Sequence, residues 1–194
     1  LLYPAAALAV LAARASALGT AWLVAGCTIF GATQVLMYAT STQDHSIPQP
    51  RARAVLRFLD HSAIFLLIAG TYTPFALVSL RGPWGWSLLA GIWAMAILGI
   101  ALRARTGGRG RLGATALYGA MGWAILIAIR PLAERVAPGG LALLVGGGLA
   151  DTAGTAFYLW RRLRFHHAIW HLFVLAGSLL HFFAVLYYVV PRAR

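Results

Sequence analysis

The sequence contains no lysine; all 16 of its basic side chains are arginine. A retinal protein needs a lysine for its Schiff base, so a rhodopsin is excluded. There is one cysteine, Cys27, inside an apolar run. It can form no intrachain disulfide and no thiolate metal cluster, and it reads as a small packing residue. Charge is scarce too: 10% of the 194 residues are charged, and four are acidic. A soluble domain carries about 25% charged residues, so too little polar surface is present to cover a water-soluble fold. A charged n-region followed by a cleavage site is also lacking, so residues 1–13 are not read as a signal peptide. They look like the tail end of a helix that begins before Leu1.

What fills the chain instead is apolar sequence, 61% of all residues, in runs that match the roughly 30 Å hydrocarbon core of a bilayer. Seven segments are expected: Leu1 to about Ala13, Leu18 to Thr42, Leu59 to Leu80, Trp84 to Leu102, Leu112 to Ile129, Gly140 to Trp160, and His166 to Val190. A polar connection, Gln43 to Arg57, separates the second from the third. The expected architecture is all-α, a single domain over residues 1–194 forming a seven-transmembrane-helix bundle with a truncated first helix.

The net charge of +12 would suggest nucleic acid in a soluble protein. Here the arginines lie between apolar runs, the distribution of a topology signal, and no nucleic-acid partner is expected. Loops two, four and six carry three, four and three arginines; loops one, three, five and the C-terminal tail carry one, one, two and two. The richer side belongs in the cytoplasm, which puts the N-terminus inside and the C-terminus outside. Trp84, Trp86, Tyr158, Trp160, Tyr187 and Tyr188 read as interfacial belts. Gly119, Gly122, Gly146, Gly147 and Gly148 read as close helix packing. Pro74 is predicted to kink the third segment.

Ionisable residues at membrane depth are costly and point to function. His45 follows segment two, Asp60 opens segment three, and His167 and His171 open segment seven. Topology puts all four on one side of the membrane. His167 and His171, four apart, lie about 40° apart on one helical face and about 6 Å along it. Two imidazoles so spaced can bind one metal ion. Ser41 stands four residues before His45, where it can orient that ring or a bound water. Other readings stay open: an N-cap for Asp60, a plain loop residue for Asp44, a bis-histidine haem, or a proton or ion path. His166 and His61 point to other faces. His181, about 15 Å deeper than His171, is expected to hydrogen-bond to a neighbouring helix.

Four motifs then carry a resemblance: Ser41-Thr42-Gln43-Asp44-His45; Leu59-Asp60-His61-Ser62-Ala63-Ile64; Ile68-Ala69-Gly70-Thr71-Tyr72-Thr73-Pro74-Phe75; and His167-Ala168-Ile169-Trp170-His171, followed by Ala176-Gly177-Ser178 and His181-Phe182. In order and spacing the chain resembles the hemolysin III family of bacterial membrane proteins, relatives of the progestin and adiponectin receptors. The resemblance implies a plasma-membrane protein with a zinc ion near the cytoplasmic face. Its ligands would be His45, His167 and His171, with Asp60 holding a water on the metal. One departure is Asp44, where the family usually has an aromatic residue; its carboxylate could enter the metal shell. The expected function is a zinc-dependent hydrolase acting on a lipid amide or ester, similar to a ceramidase, with Asp60 as general base and Ser41 assisting. Membrane lipids are the expected partners. The alternatives are a lipid-sensing module with a structural zinc, and a pore-forming hemolysin.

Overall fold

A computed structural model of the chain describes residues 2–18, 20–107, 110–160 and 162–193. Leu1 and the loop and tail arginines Arg109, Arg161 and Arg194 lie outside these. Among the described residues there is no strand. The helices are α1 (Leu2–Leu18), α2 (Ala21–Ser46), α3 (Pro50–Pro74), α4 (Pro83–Thr106), α5 (Arg111–Trp123), α6 (Ile129–Arg135), α7 (Pro138–Leu159) and α8 (His166–Tyr188). A 3-10 turn, Ala124–Ala128, joins α5 to α6 into one broken rod, so seven rods result. Six of them are long and apolar enough to cross a membrane; α1 is the shorter seventh.

Chain neighbours pack side by side: α1 on α2, α2 on α3, α3 on α4, and α7 on α8. α5 lies against α3, α4 and α7, and the turn after α8 (Val190–Ala193) touches α1, which closes the ring. The outer face is apolar. Leu98, Leu102, Leu112, Ile127, Leu149 and Leu172 stand exposed, a surface suited to acyl chains rather than water. The chain is a multi-pass membrane protein.

Several helix limits differ from the expected ones. α1 continues past Arg14 because Ala15 is needed in the core, where it is fully buried. The polar connection after α2 shrinks to residues 47–49. The Thr42 and Ser46 hydroxyls each donate back to the carbonyl four residues earlier, at 2.7 Å, which keeps this polar stretch helical. Pro50 then opens α3, where its missing N–H costs nothing. His45 is therefore a helical residue rather than a loop residue.

Pro74 does disturb its helix. The five residues after it, Phe75–Ser79, form a π-helical turn closed by Leu80 N–H donating to the Phe75 carbonyl at 2.8 Å. The α5 break is held from α3: the Tyr72 hydroxyl donates to the Met121 and Gly122 carbonyls (2.7 and 2.9 Å) and accepts from Ile125 N–H (2.9 Å).

Of the glycines read as close packing, Gly147 is one, since a Cβ there would lie 2.5 Å from the His181 ring. Gly119 and Gly122 are not; they face open space beside a cavity. Trp84, Trp86, Trp160 and Tyr187 are exposed as an interfacial belt requires, whereas Tyr158 turns inward to line the cavity.

Candidate metal centre

The last turn of α2 and the first turns of α8 meet at one end of the bundle. His45 Nε2 and His171 Nε2 approach His167 Nε2 to 3.1 and 3.2 Å. One ligand atom from each of the three rings falls within 4.8 Å of the others. For a tetrahedral ion with bonds of about 2.0–2.1 Å to nitrogen, donors stand about 3.3 Å apart. The three rings thus sit near the spacing that such an ion requires.

The backbone selects the tautomer of His45. Its Nδ1–H donates to the Ser41 carbonyl at 2.8 Å, which leaves Nε2 as a lone pair aimed at the other rings. Ser41 therefore orients His45, as its position suggested, but through its carbonyl. Its side chain lies on the side of α2 that Asp60 approaches.

Asp60 is not an N-cap. Gln49 is at the N-cap position of α3, and Asp60 lies eleven residues further on, 3% exposed. The helix turns carry it inward, to face Ser41, Asp44, His45 and Arg103. Its Oδ1 is buried without a hydrogen-bond partner, and its Oδ2 stands 3.6 Å from His61 Nδ1. A buried carboxylate oxygen without a donor is a group that awaits one. The three convergent imidazoles fit a metal ion, and Asp60 stands outside their cluster. Asp44 is no loop residue either: it is buried on α2, with its Oδ1 unpartnered, and it stands outside the cluster of three rings.

The remaining histidines separate from the site. His61 donates from Nδ1 to the Arg57 carbonyl (2.9 Å), and its Nε2 accepts from the Tyr158 hydroxyl at 3.4 Å. His166 lies beside His167 with its Nδ1 buried and unpartnered. His181 faces a neighbouring helix, with Nε2 3.6 Å from Asp151 Oδ2, longer than the hydrogen bond expected.

Two aromatic residues have a place beside the site that the sequence did not reveal. The Trp170 ring packs on His167 and His171 with centroids 5.2 and 4.5 Å away, and Tyr158 packs on Trp170 at 5.0 Å. Both rings also line a cavity of about 270 Å³ inside the bundle. The one available signal was Trp170 itself, which stands between two ligand candidates on the same helix. Asp151, on the cavity wall, was missed as well.

Known proteins match this chain along most of its length. A family model described as "Haemolysin-III related" matches residues 1–182. "Hemolysin-3" from Bacillus cereus is 50% identical over 187 residues, covering 96% of this chain and 85% of the relative. "Hemolysin-3 homolog" from Bacillus subtilis (strain 168) is 45% identical over 172 residues, covering 89% and 81%. No solved structure gives a significant match. The seven-rod membrane bundle and these matches agree, and the chain belongs to the haemolysin-III related family.

Proposed function

We propose that the chain is a zinc-dependent hydrolase of the plasma membrane, acting on a lipid amide or ester at the end of the bundle where α2 and α8 meet. The observation that carries this reading is the convergence of three imidazole nitrogens at one end of the bundle. His45, His167 and His171 would hold the ion. When bound, zinc supplies a Lewis acid that makes water a nucleophile near neutral pH. Asp60 Oδ1 accepts the proton of the attacking water and returns it to the leaving amine or alcohol. Ser41 fixes the His45 ring through its carbonyl, and its hydroxyl is the proposed donor to the developing oxyanion. The arginine distribution favours a cytoplasmic position for this end.

The test is hydrolysis of a long-chain N-acyl lipid by purified protein with zinc, alongside His171→Ala and Asp60→Asn. Loss of turnover in both variants, with metal retained in Asp60→Asn, is expected; equal rates in all three would sink the proposal.

A second reading rests on the origin of the ligands. They come from α2 and α8 alone, 122 residues apart, so the ion would clasp two helices distant in the chain and need do no chemistry. Under that reading, chelation lowers thermal stability and no lipid turns over. The relatives' names suggest cytolysis; liposome leakage at increasing protein density tests whether this chain shares it.

A further inference from the structure

The metal centre leaves one polar cluster unused, deep in the bundle. Gln34 of α2, Asp151 of α7, and Ser178 and His181 of α8 all line the cavity. Gln34 is fully buried, and neither its Oε1 nor its Nε2 completes a hydrogen bond. The polar group beside it is the Tyr3 hydroxyl, whose proton goes to the Ser178 carbonyl at 3.0 Å. Tyr38 donates to Ser178 Oγ at 3.1 Å. His181 Nδ1 is also buried without a partner.

Two glycines make room for this cluster. Gly147 of α7 accommodates the His181 ring, and Gly177 of α8 accommodates the Asp151 carboxylate, where any Cβ would collide. The packing thus holds Asp151 and His181 across the α7–α8 seam, with Nε2 and Oδ2 3.6 Å apart. A carboxylate and an unsatisfied carboxamide in membrane-depth helices stand to be matched by a ligand.

The ligand chemistry follows from the donors and acceptors. Gln34 Nε2 donates; Gln34 Oε1 and the Asp151 carboxylate accept. A hydroxyl group does both. An added carboxylate would be repelled by Asp151, and an ammonium would lose its hydration on entering an otherwise apolar cavity. His171 and His181 are ten residues apart on α8, about 15 Å, the reach of an extended chain of roughly a dozen carbons. We propose that the interior of the cavity is a binding site for a hydroxyl carried along the acyl chain of a lipid, received by Gln34 and Asp151. This deepens the proposed hydrolase by naming a part of its substrate remote from the scissile bond, and it rests on that reading.

The test measures binding rather than turnover. Equilibrium binding of 12-hydroxystearic acid and of stearic acid is compared in the same detergent for the full chain, Gln34→Leu, Asp151→Ala and His171→Ala. The native protein should favour the hydroxylated acid at least tenfold. Gln34→Leu and Asp151→Ala should abolish that preference while still binding stearic acid. His171→Ala should keep the preference even where metal and hydrolysis are lost, which separates this proposal from the hydrolase. Equal affinity of the native protein for the two acids overturns the proposal, whatever the variants do. So does a preference that survives both Gln34→Leu and Asp151→Ala.

Discussion

Removing one imidazole from the histidine cluster should remove the metal and much of the bundle's stability together. Two donor spacings, 3.1 and 3.2 Å, lie close to the tetrahedral edge of about 3.3 Å, and the third is within 4.8 Å. An ion at a hundredfold excess over its dissociation constant stabilises the folded chain by about 2.7 kcal/mol. For a chain of 150–250 residues each kcal/mol moves Tm by about 2–4 °C, so zinc should raise it by about 5–11 °C. The assay is thermal unfolding in detergent with and without a chelator, alongside metal analysis of the purified protein. The native chain should carry about one zinc and show the shift. His45→Ala and His167→Ala should carry none and be indifferent to the chelator. His166→Ala and His61→Ala are the controls, because neither ring joins the cluster; both should keep the metal and the shift. Full metal content in His45→Ala, or a chelator shift equal in all variants, would refute the assignment. So would an iron content with a haem spectrum.

Two further predictions concern helix packing. Gly147→Ala should lower stability by about 1–3 kcal/mol, because its Cβ meets the His181 ring. Gly119→Ala, where a Cβ meets open space, should be neutral or gain up to about 1 kcal/mol of helix propensity; thermal unfolding of the pair checks both. Tyr72→Phe leaves the Ile125 N–H without the hydroxyl that accepts its proton. A cost of about 1–3 kcal/mol is expected, with faster amide exchange confined to the break between α5 and α6 as the distinguishing readout.

The parts of this protein that were legible in sequence are those that depend on chain order alone. Alternating spans force His45, Asp60, His167 and His171 to one end, and the four-residue step puts His167 and His171 on one face. The structure assembles the three rings accordingly. What remained hidden depends on how helices rotate against one another. Asp60 looks like a helix cap until α3 is seen to begin at Pro50, which turns its carboxylate inward to Ser41. Tyr158 looks like a belt residue until α7 is rotated onto α8, where it meets Trp170. Asp151 stands alone in an apolar run, and its depth already marks it as costly. Its partner is ten residues beyond the last metal-ligand candidate, on another helix. Only the glycines at 147 and 177 hint at the register that joins them, and a glycine does not say which side chain fills the space it leaves. The same uncertainty misplaced Gly119 and Gly122, whose small size opens the cavity wall instead of a helix seam. In a membrane bundle the hydrophobic pattern fixes depth, because lipid and protein interior are equally apolar, but it leaves rotation to small residues and polar pairs. The depth-defined histidine cluster was therefore readable in advance, and the rotation-defined cluster at Gln34 and Asp151 was not.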